Sequence, residues 1–339
     1  MHSRLVHLEW SEDFRSPALV SAVWEQNRES WEEELRQQEV VPAEASVVAV
    51  SLDGVMVPDK DAQKDAKIKR ETAKQQGVSK QLSGPAGYRE VGCGTVTLYD
   101  EDATRLDTVR YGRAPEYKKQ TLTQQLDAEL ASILATRPDL DVVALADGAE
   151  ENWRYFDQPV YANATKIIDH GHASQHLRDA MAAYYGEKNV VGRAEYERLR
   201  IILRDQVGGV DDVIAELSRL SRKMGGKRRK SRRKRFNSEL RYFQNQRERM
   251  DYAEYQERGL PIGSGVVEAA CKTLATQRLK RSGMSWRDGK QAILTIRSLQ
   301  QSHRWAAAWE LLSAHFRVEV VAVRKHGHLR ELTPLKMVA

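Results

Sequence analysis

Apolar and polar positions alternate with two different periods along this chain, and the change of period divides it. The text "SPALVSAVWEQNRESWEEELRQQEVVP" has helical spacing, with Trp24 and Trp31 on one face and Pro42 ending the run. Residues 1–44 are therefore read as a helical N-terminal arm. The β-branched run "ASVVAVSLDGVMVP", residues 45–58, then predicts a strand. "EVGCGTVTLYD" (90–100) and "RLDTVRYGRAPEY" (105–117) alternate with period two and predict two more. The charged, glutamine-rich segment 59–82 between them reads as a mobile loop or a helical insertion.

A helix follows, with Leu122, Leu126, Leu130, Ile133 and Leu134 on its apolar face. Thr121 and Gln124 have capping-box spacing, and Pro138 closes the element. "DVVALADGAE" predicts a buried strand ending at Asp147. "ATKIIDHGHASQHL" predicts another, entering a helix at about Ser174. Three closely connected strands favour antiparallel pairing, and the later strand–helix alternation favours parallel additions. The expected architecture is an α/β mixed sheet flanked by helices. From 178 to 258 the pattern is helical only, punctuated by Gly208-Gly209 and Gly225-Gly226. A helix is expected from about Val266 to Arg281. Another is expected from a Ser285/Asp288 capping box to about Trp305. The run "VEVVAV" in the tail reads as a short strand. The boundaries are thus 1–44 arm, 45–177 first part of the core, 178–258 helical insertion, 259–310 helices completing the core, and 311–339 tail.

Charge changes this picture at one place. The chain carries a net +6, but "RKMGGKRRKSRRKR" (222–235) holds ten Lys and Arg, and outside it 44 basic residues face 48 acidic ones. An acidic body with one basic block suits a nucleic-acid arm or a solvated linker. Self-repulsion and the preceding glycines predict a mobile segment in the absence of DNA. Cys93 and Cys271 form no CxxC pair, and no stretch approaches a signal peptide or membrane span. A cytoplasmic protein is expected.

The candidate chemistry lies in carboxylates. Asp53 in "SLDG" and Asp147 in "LADG" each follow an apolar run and precede a glycine that permits a sharp turn or close ligand approach. Such pairs also occur in ordinary turns. Two carboxylates at adjacent strand ends repel unless a divalent cation neutralises them, and magnesium is the usual choice beside phosphate. Glu268 in "PIGSGVVEAACK" is the third candidate. Its plainer account is a glutamate at a helix N-terminus, paired with Lys272 at i+4. His172 and His176 have helical i, i+4 spacing, but no second ligand pair follows, which argues against structural zinc.

Taken together, "SLDGV", "ALADGAEENW", "IIDHGHASQHL" and "GLPIGSGVVEAACKTLATQRLKRSGMSW" resemble bacterial insertion-sequence transposases of the DDE class, nearest to the ISKra-type group. The resemblance spans roughly residues 45–310. It implies an RNase H-like core interrupted by an all-helical insertion. It implies Asp53, Asp147 and Glu268 as catalytic metal ligands for Mg2+ or Mn2+. Asp169-x-x-His172 matches a signature of several such enzymes, in which His172 would orient the scissile phosphate or stand behind the metal ligands. A buried, hydrogen-bonded histidine is the alternative. DNA contacts are expected from Lys227, Arg228, Arg229, Lys230, Arg232, Arg233, Lys234 and Arg235 in the block. Lys272, Arg278, Lys280 and Arg281 would add to them along the Glu268 helix. Trp286 would stack on an extruded base or pack in the core.

The implied reaction is metal-dependent DNA cleavage at transposon ends and strand transfer into target DNA, by a homodimer on DNA in the bacterial nucleoid. A nuclease with the same core and an inactive DNA-binding remnant are the rivals. The group carries an end-recognition region upstream of the first aspartate, and only 52 residues precede Asp53 here. A truncated copy or a fragment is therefore expected.

Overall fold

The computed structural model describes residues 6–9, 17–75, 87–224, 230–325 and 336–338. At its centre is a five-stranded mixed sheet. A separate short ribbon pairs β1 (Val6–Glu9) antiparallel with β7 (Lys336–Val338), so the N-terminal arm is not helical throughout. The central sheet contains β2 (Val47–Pro58), β3 (Tyr88–Tyr99), β4 (Arg105–Arg113), β5 (Asp141–Ala146) and β6 (Thr165–Ile168). Their spatial order is β4-β3-β2-β5-β6. The first three pair antiparallel as a meander, and β5 and β6 add in parallel on the other side of β2. This order and polarity are those of an RNase H-like sheet.

Helices cover both faces. α1 (Pro17–Gln38) precedes the sheet, and α2 (Lys60–Gln75) fills the first half of the segment read as loop or helix. α3 (Gln120–Thr136) buries Leu122, Leu126, Leu130 and Ile133 in the main core with β2, β5 and β6. Its capping box does not form: Lys119 occupies the cap in a left-handed conformation, and the Glu116 carboxylate instead accepts from the Leu122 N–H at 2.9 Å. α4 (Glu150–Phe156) links β5 to β6. α5 (His170–Tyr185) begins four residues before the expected Ser174, because the Asp169 side chain caps it by accepting from the His172 N–H.

The expected insertion is helical: α6 (Val190–Asp205), α7 (Gly209–Lys223), α8 (Lys230–Gln246) and α9 (Tyr252–Glu257). Their buried faces, including Leu199, Leu217, Phe236 and Phe243, join the main core. Lys230–Arg235 are the first turns of α8 rather than a mobile arm; Lys227, Arg228 and Arg229 lie outside the described residues.

The chain then returns to the sheet. α10 (Gly265–Ala270) runs through a π-helical turn, Cys271–Thr276, into α11 (Gln277–Leu279). This element packs Ala270, Cys271, Leu274, Ala275 and Leu279 against Val57, Val91 and Cys93 of the sheet. The next helix does not start at Ser285. Residues near Trp286 instead run beside the end of β2: Lys60 N–H donates to the Trp286 carbonyl at 2.8 Å, and Trp286 N–H to Pro58 O at 3.3 Å. The Trp286 indole donates to Leu279 O and packs in the core, which is the second of its two readings.

α12 (Lys290–Gln301) begins after Gly289 in the left-handed region, and α13 (Trp305–Lys325) follows a short break. The expected "VEVVAV" strand is the end of α13. An Ala- and Leu-rich start, "WAAAWELLSA", nucleates the helix, and propagating it costs little even through β-branched residues. α1 and α13 pack together, with Trp24 and Trp31 rings 5.4 Å apart beside Leu312 and Phe316.

Candidate functional site

The strand pairing brings the two aspartates to the same end of the sheet. β2 and β5 pair in parallel with Val47 opposite Asp141 and Ser51 opposite Leu145. The pairing ends there, and Asp53 and Asp147 each follow two residues later on their own segment. β5 and β6 pair up to Ala146 opposite Ile168, and Asp147 and Asp169 are the residues that immediately follow. Three aspartates therefore follow the paired parts of three adjacent parallel strands at the same end of the sheet. They lie where β5 and β6 end, at the side of β2 where the chain order reverses, a place where open α/β sheets bind ligands.

Asp53 itself is not at a strand end. β2 continues to Pro58, paired with β3 alone, and Asp53 stands opposite Cys93. Gly54 therefore makes no turn. A Cβ there would lie 1.6 Å from Glu90 Oε1 and would displace that exposed side chain. At Asp53 the neighbouring strand β5 has stopped, which leaves that flank of β2 open.

The three aspartates differ in environment. Asp53 is half-buried; its Oδ1 accepts from the Gly54 N–H at 2.6 Å, and Cys271 Sγ lies 3.5 Å from Oδ2. Asp147 is half-buried, with Oδ1 accepting from Ala149 N–H and Asn152 Nδ2 at 2.9 and 2.8 Å. Asp169 is 2% exposed. Burial pushes its pKa up, but donors outweigh burial: the His172 ring, and the N–H groups of Ser264 and His172, hold it down at about 2.

Glu268 comes from α10, one turn before Cys271, the residue that touches Asp53. Its carboxylate is 54% exposed and reaches within 3.9 Å of His172 Nδ1. The π-helical turn begins immediately after, at Cys271; such turns are frequent at functional sites. His172 ties the cluster together. The hydrogen bond to Asp169 at 3.2 Å raises its pKa to about 9 against partial burial, helped by the charges of Asp169, Asp147 and Glu268. Ligand atoms of Asp169, His172 and Glu268 lie within 4.8 Å of one another. Among the described residues, no lysine or arginine is ion-paired with Asp53, Asp147 or Glu268.

The carboxylate oxygens suit a hard divalent cation such as Mg2+ or Mn2+. His172, protonated through neutral pH, would have to lose its proton to ligate one. His176 does not turn toward a metal. Its Nδ1 lies 2.6 Å from Glu239 Oε2, and its ring stacks on Tyr242 at 3.6 Å. Glu239 and Tyr242 both belong to α8, so the insertion reaches the site. Sequence spacing had no means of showing that contact, nor the contact of Cys271 with Asp53. The capping role of Asp169 was legible in "DHGH".

The basic candidates divide. Lys272, Arg278, Lys280 and Arg281 are exposed along and after the Glu268 helix. Lys230, Arg233 and Lys234 are exposed on α8. Arg232 instead donates to the carbonyls of Ala183 and Tyr184 at the end of α5, and Arg235 pairs with Asp179. No described helix is long and apolar enough to cross a membrane.

No family model and no curated protein matches the chain. Among solved structures it is similar to the Drosophila P element transposase strand transfer complex, with 9% identity over 89% of this chain and 78% of that one and a TM-score of 0.27. A likeness at that score is too slight to assign a function; the cluster of carboxylates and the elements around it are the basis for one.

Proposed function

We propose that the chain is a DDE-type transposase that cleaves DNA at transposon ends and joins the freed 3′-hydroxyl to target DNA, with Asp53, Asp147 and Glu268 as metal ligands. The observation that supports this reading is that Asp53 and Asp147 each lie two residues beyond the last paired residues of the adjacent parallel strands β2 and β5, beneath a helix that brings Glu268, with no Lys or Arg among the described residues paired to any of the three. Carboxylates gathered with one histidine and no Lys or Arg retain a surplus of negative charge and favour a divalent cation. Such ions, when bound between carboxylates, activate water and stabilise the leaving oxygen of a phosphodiester.

The chain's own groups supply the rest. Asp147 is oriented by Asn152 and the Ala149 N–H, and Asp53 by the Gly54 N–H. Asp169 serves the site indirectly, by capping α5 and holding His172, whose charge faces Glu268 and suits a phosphate oxygen. Residues 45–177 and 259–310 would form the catalytic core, and 178–258 the insertion. Lys230, Arg233 and Lys234 on α8 and Lys272, Arg278, Lys280 and Arg281 beyond Glu268 would hold the phosphate backbone. Synapsis of two ends would call for a homodimer.

The test is a strand-transfer assay with pre-cut duplex ends from the flanks of the coding sequence, in Mg2+ or Mn2+. Covalent joining to target DNA is the expected result. Hydrolysis without joining would favour the RNase H-like nuclease. No metal-dependent reaction, with no Mn2+ bound by electron paramagnetic resonance, would leave a DNA-binding remnant.

A further inference from the structure

One side chain beside the carboxylate cluster has no part in the proposed reaction. Tyr242 lies on α8, in the insertion, yet its ring covers the backbone just after Asp147: a Cβ on Gly148 would meet Tyr242 Cε2 at 2.2 Å. The ring is fixed from its other face. It stacks on His176 at 3.6 Å and 20°, and His176 is held by Glu239 at 2.6 Å. It also meets Phe243 edge-on at 5.7 Å. The hydroxyl at its tip is buried and has no hydrogen-bond partner among the described residues. A buried orphan hydroxyl costs free energy, so a partner supplied from outside is the ordinary resolution.

The surroundings say what kind of partner fits. Burial, then the charges of Asp147, Asp169 and Glu239, push the Tyr242 pKa up, so the hydroxyl keeps its proton and remains a donor. None of the nearby carboxylate oxygens accepts from it. Asp147 Oδ1 takes Ala149 and Asn152, both Asp169 oxygens are bonded, and Glu239 Oε2 takes His176. The proton is left for an acceptor that enters the site. In a site that handles nucleic acid, the incoming acceptor is a backbone phosphate oxygen.

We infer that the Tyr242 hydroxyl donates a hydrogen bond to a non-bridging phosphate oxygen of the DNA strand lying over Asp147, so that the helical insertion supplies part of the substrate contact. This rests on the proposed function, but it adds a residue that the carboxylate motif does not contain. The Glu239–His176 pair acts behind it, as the support that sets the ring angle.

The test compares Tyr242→Phe with Asp147→Asn in the full chain. Phenylalanine keeps the ring, the stack and the cover over Gly148, and removes one oxygen. Three quantities are measured: thermal unfolding, affinity for a labelled duplex by fluorescence anisotropy in Ca2+, and cleavage rate in Mn2+ at saturating duplex. A hydrogen bond to a charged group predicts a loss of about tenfold to a hundredfold, shared between affinity and rate, with Tm equal to or above that of the wild type because the orphan hydroxyl is gone. Wild-type affinity and rate in Tyr242→Phe, with Asp147→Asn inactive, would overturn the inference and leave the proposed function standing. Full cleavage by Asp147→Asn would sink the proposed function instead. If wild type proves unreactive, the affinity ratio alone decides: a loss of about tenfold or more supports the contact, and equal affinities remove it.

Discussion

Two sets of acids in this molecule are treated in opposite ways. Asp59, at 1% exposure, binds Lys290 at 2.8 Å and has Arg89 within 3.7 Å. Glu129, at 2%, binds Arg304 at 2.7 Å, and Arg304 also holds Glu39 and receives Tyr111 as a neighbour at 2.9 Å. These acids are packed deep and each has a cation. Asp53, Asp147 and Glu268 are half-buried or exposed, share one corner of the sheet, and have only N–H groups, an amide, a thiol and one histidine. The first arrangement is what a protein needs to keep charge inside. The second concentrates negative charge where ligands can reach it and offsets it only in part, through His172. The contrast separates acids that hold the fold from acids held by the fold.

Replacing one member of each set should therefore give opposite results. Asp147→Asn keeps the acceptor toward Ala149 and removes a charge. It should lower metal-dependent cleavage at least about a thousandfold, since a metal site is worth several kcal/mol. Its unfolding free energy should change by less than about 1 kcal/mol. Arg304→Met should do the reverse. It strands Glu129 without its cation and should cost about 3–5 kcal/mol in urea unfolding, while cleavage by the folded fraction stays at the wild-type rate. A stable Arg304→Met or an unfolded Asp147→Asn would erase the distinction.

How much of the fold and the site is legible in the sequence depends on whether the partner is near in the chain. "VVAVSLDG" and "VVALADG" announce buried strands with a carboxylate, and the short connections and later strand–helix alternation announce antiparallel and then parallel pairing, but not the spatial order of the strands. The helical insertion is legible because about 80 residues carry one period. Long-range partners are not. Lys290 lies 231 residues from Asp59, and Arg304 lies 175 from Glu129. Nothing in either local pattern marks the pair. The same holds for Tyr242 over Gly148 and for Cys271 against Asp53. Local signals also mislead where a competitor wins. Ser285 looks like a cap, but Trp286 is drawn to the end of β2, and its hydrogen bonds with Pro58 and Lys60 hold that segment extended. "DG" at Asp53 looks like a turn, but β3 keeps pairing past it.

A third acid sharpens the comparison from the structural side. Glu32 is 6% exposed, and burial raises its pKa to about 7 against its bond with Gln125 and the charges of Arg28, Arg36 and Arg113. A folded pKa above the unfolded one means that the associated stability is complete below the unfolded value of 4.5. It is lost as pH rises to about 7. Unfolding free energy should therefore fall by on the order of 2–3 kcal/mol across that window through this group. Glu32→Gln, which keeps the acceptor toward Gln125, should flatten that part of the curve. An unchanged slope in the variant would assign the pH dependence to other groups.

The smallest expected effect divides the basic block by the same criterion, structural partner against open charge. Arg232 spends its guanidinium on the carbonyls of Ala183 and Tyr184, at the negative end of α5. Arg233 and Lys234, its chain neighbours, are exposed with no partner of that kind among the described residues. Arg232→Gln should cost about 1 kcal/mol of stability and leave the salt dependence of DNA binding as it was. Arg233→Gln and Lys234→Gln should leave stability unchanged, and each should lower the slope of log affinity against log salt by roughly 0.9 for its lost phosphate contact. Because phosphate contacts carry little sequence information, the weakening should be the same for any duplex. Equal slopes for all three variants would mean that the first turns of α8 face solvent rather than DNA. The phosphate contacts would then fall to Lys272, Arg278, Lys280 and Arg281, on the side of the site that Glu268 occupies.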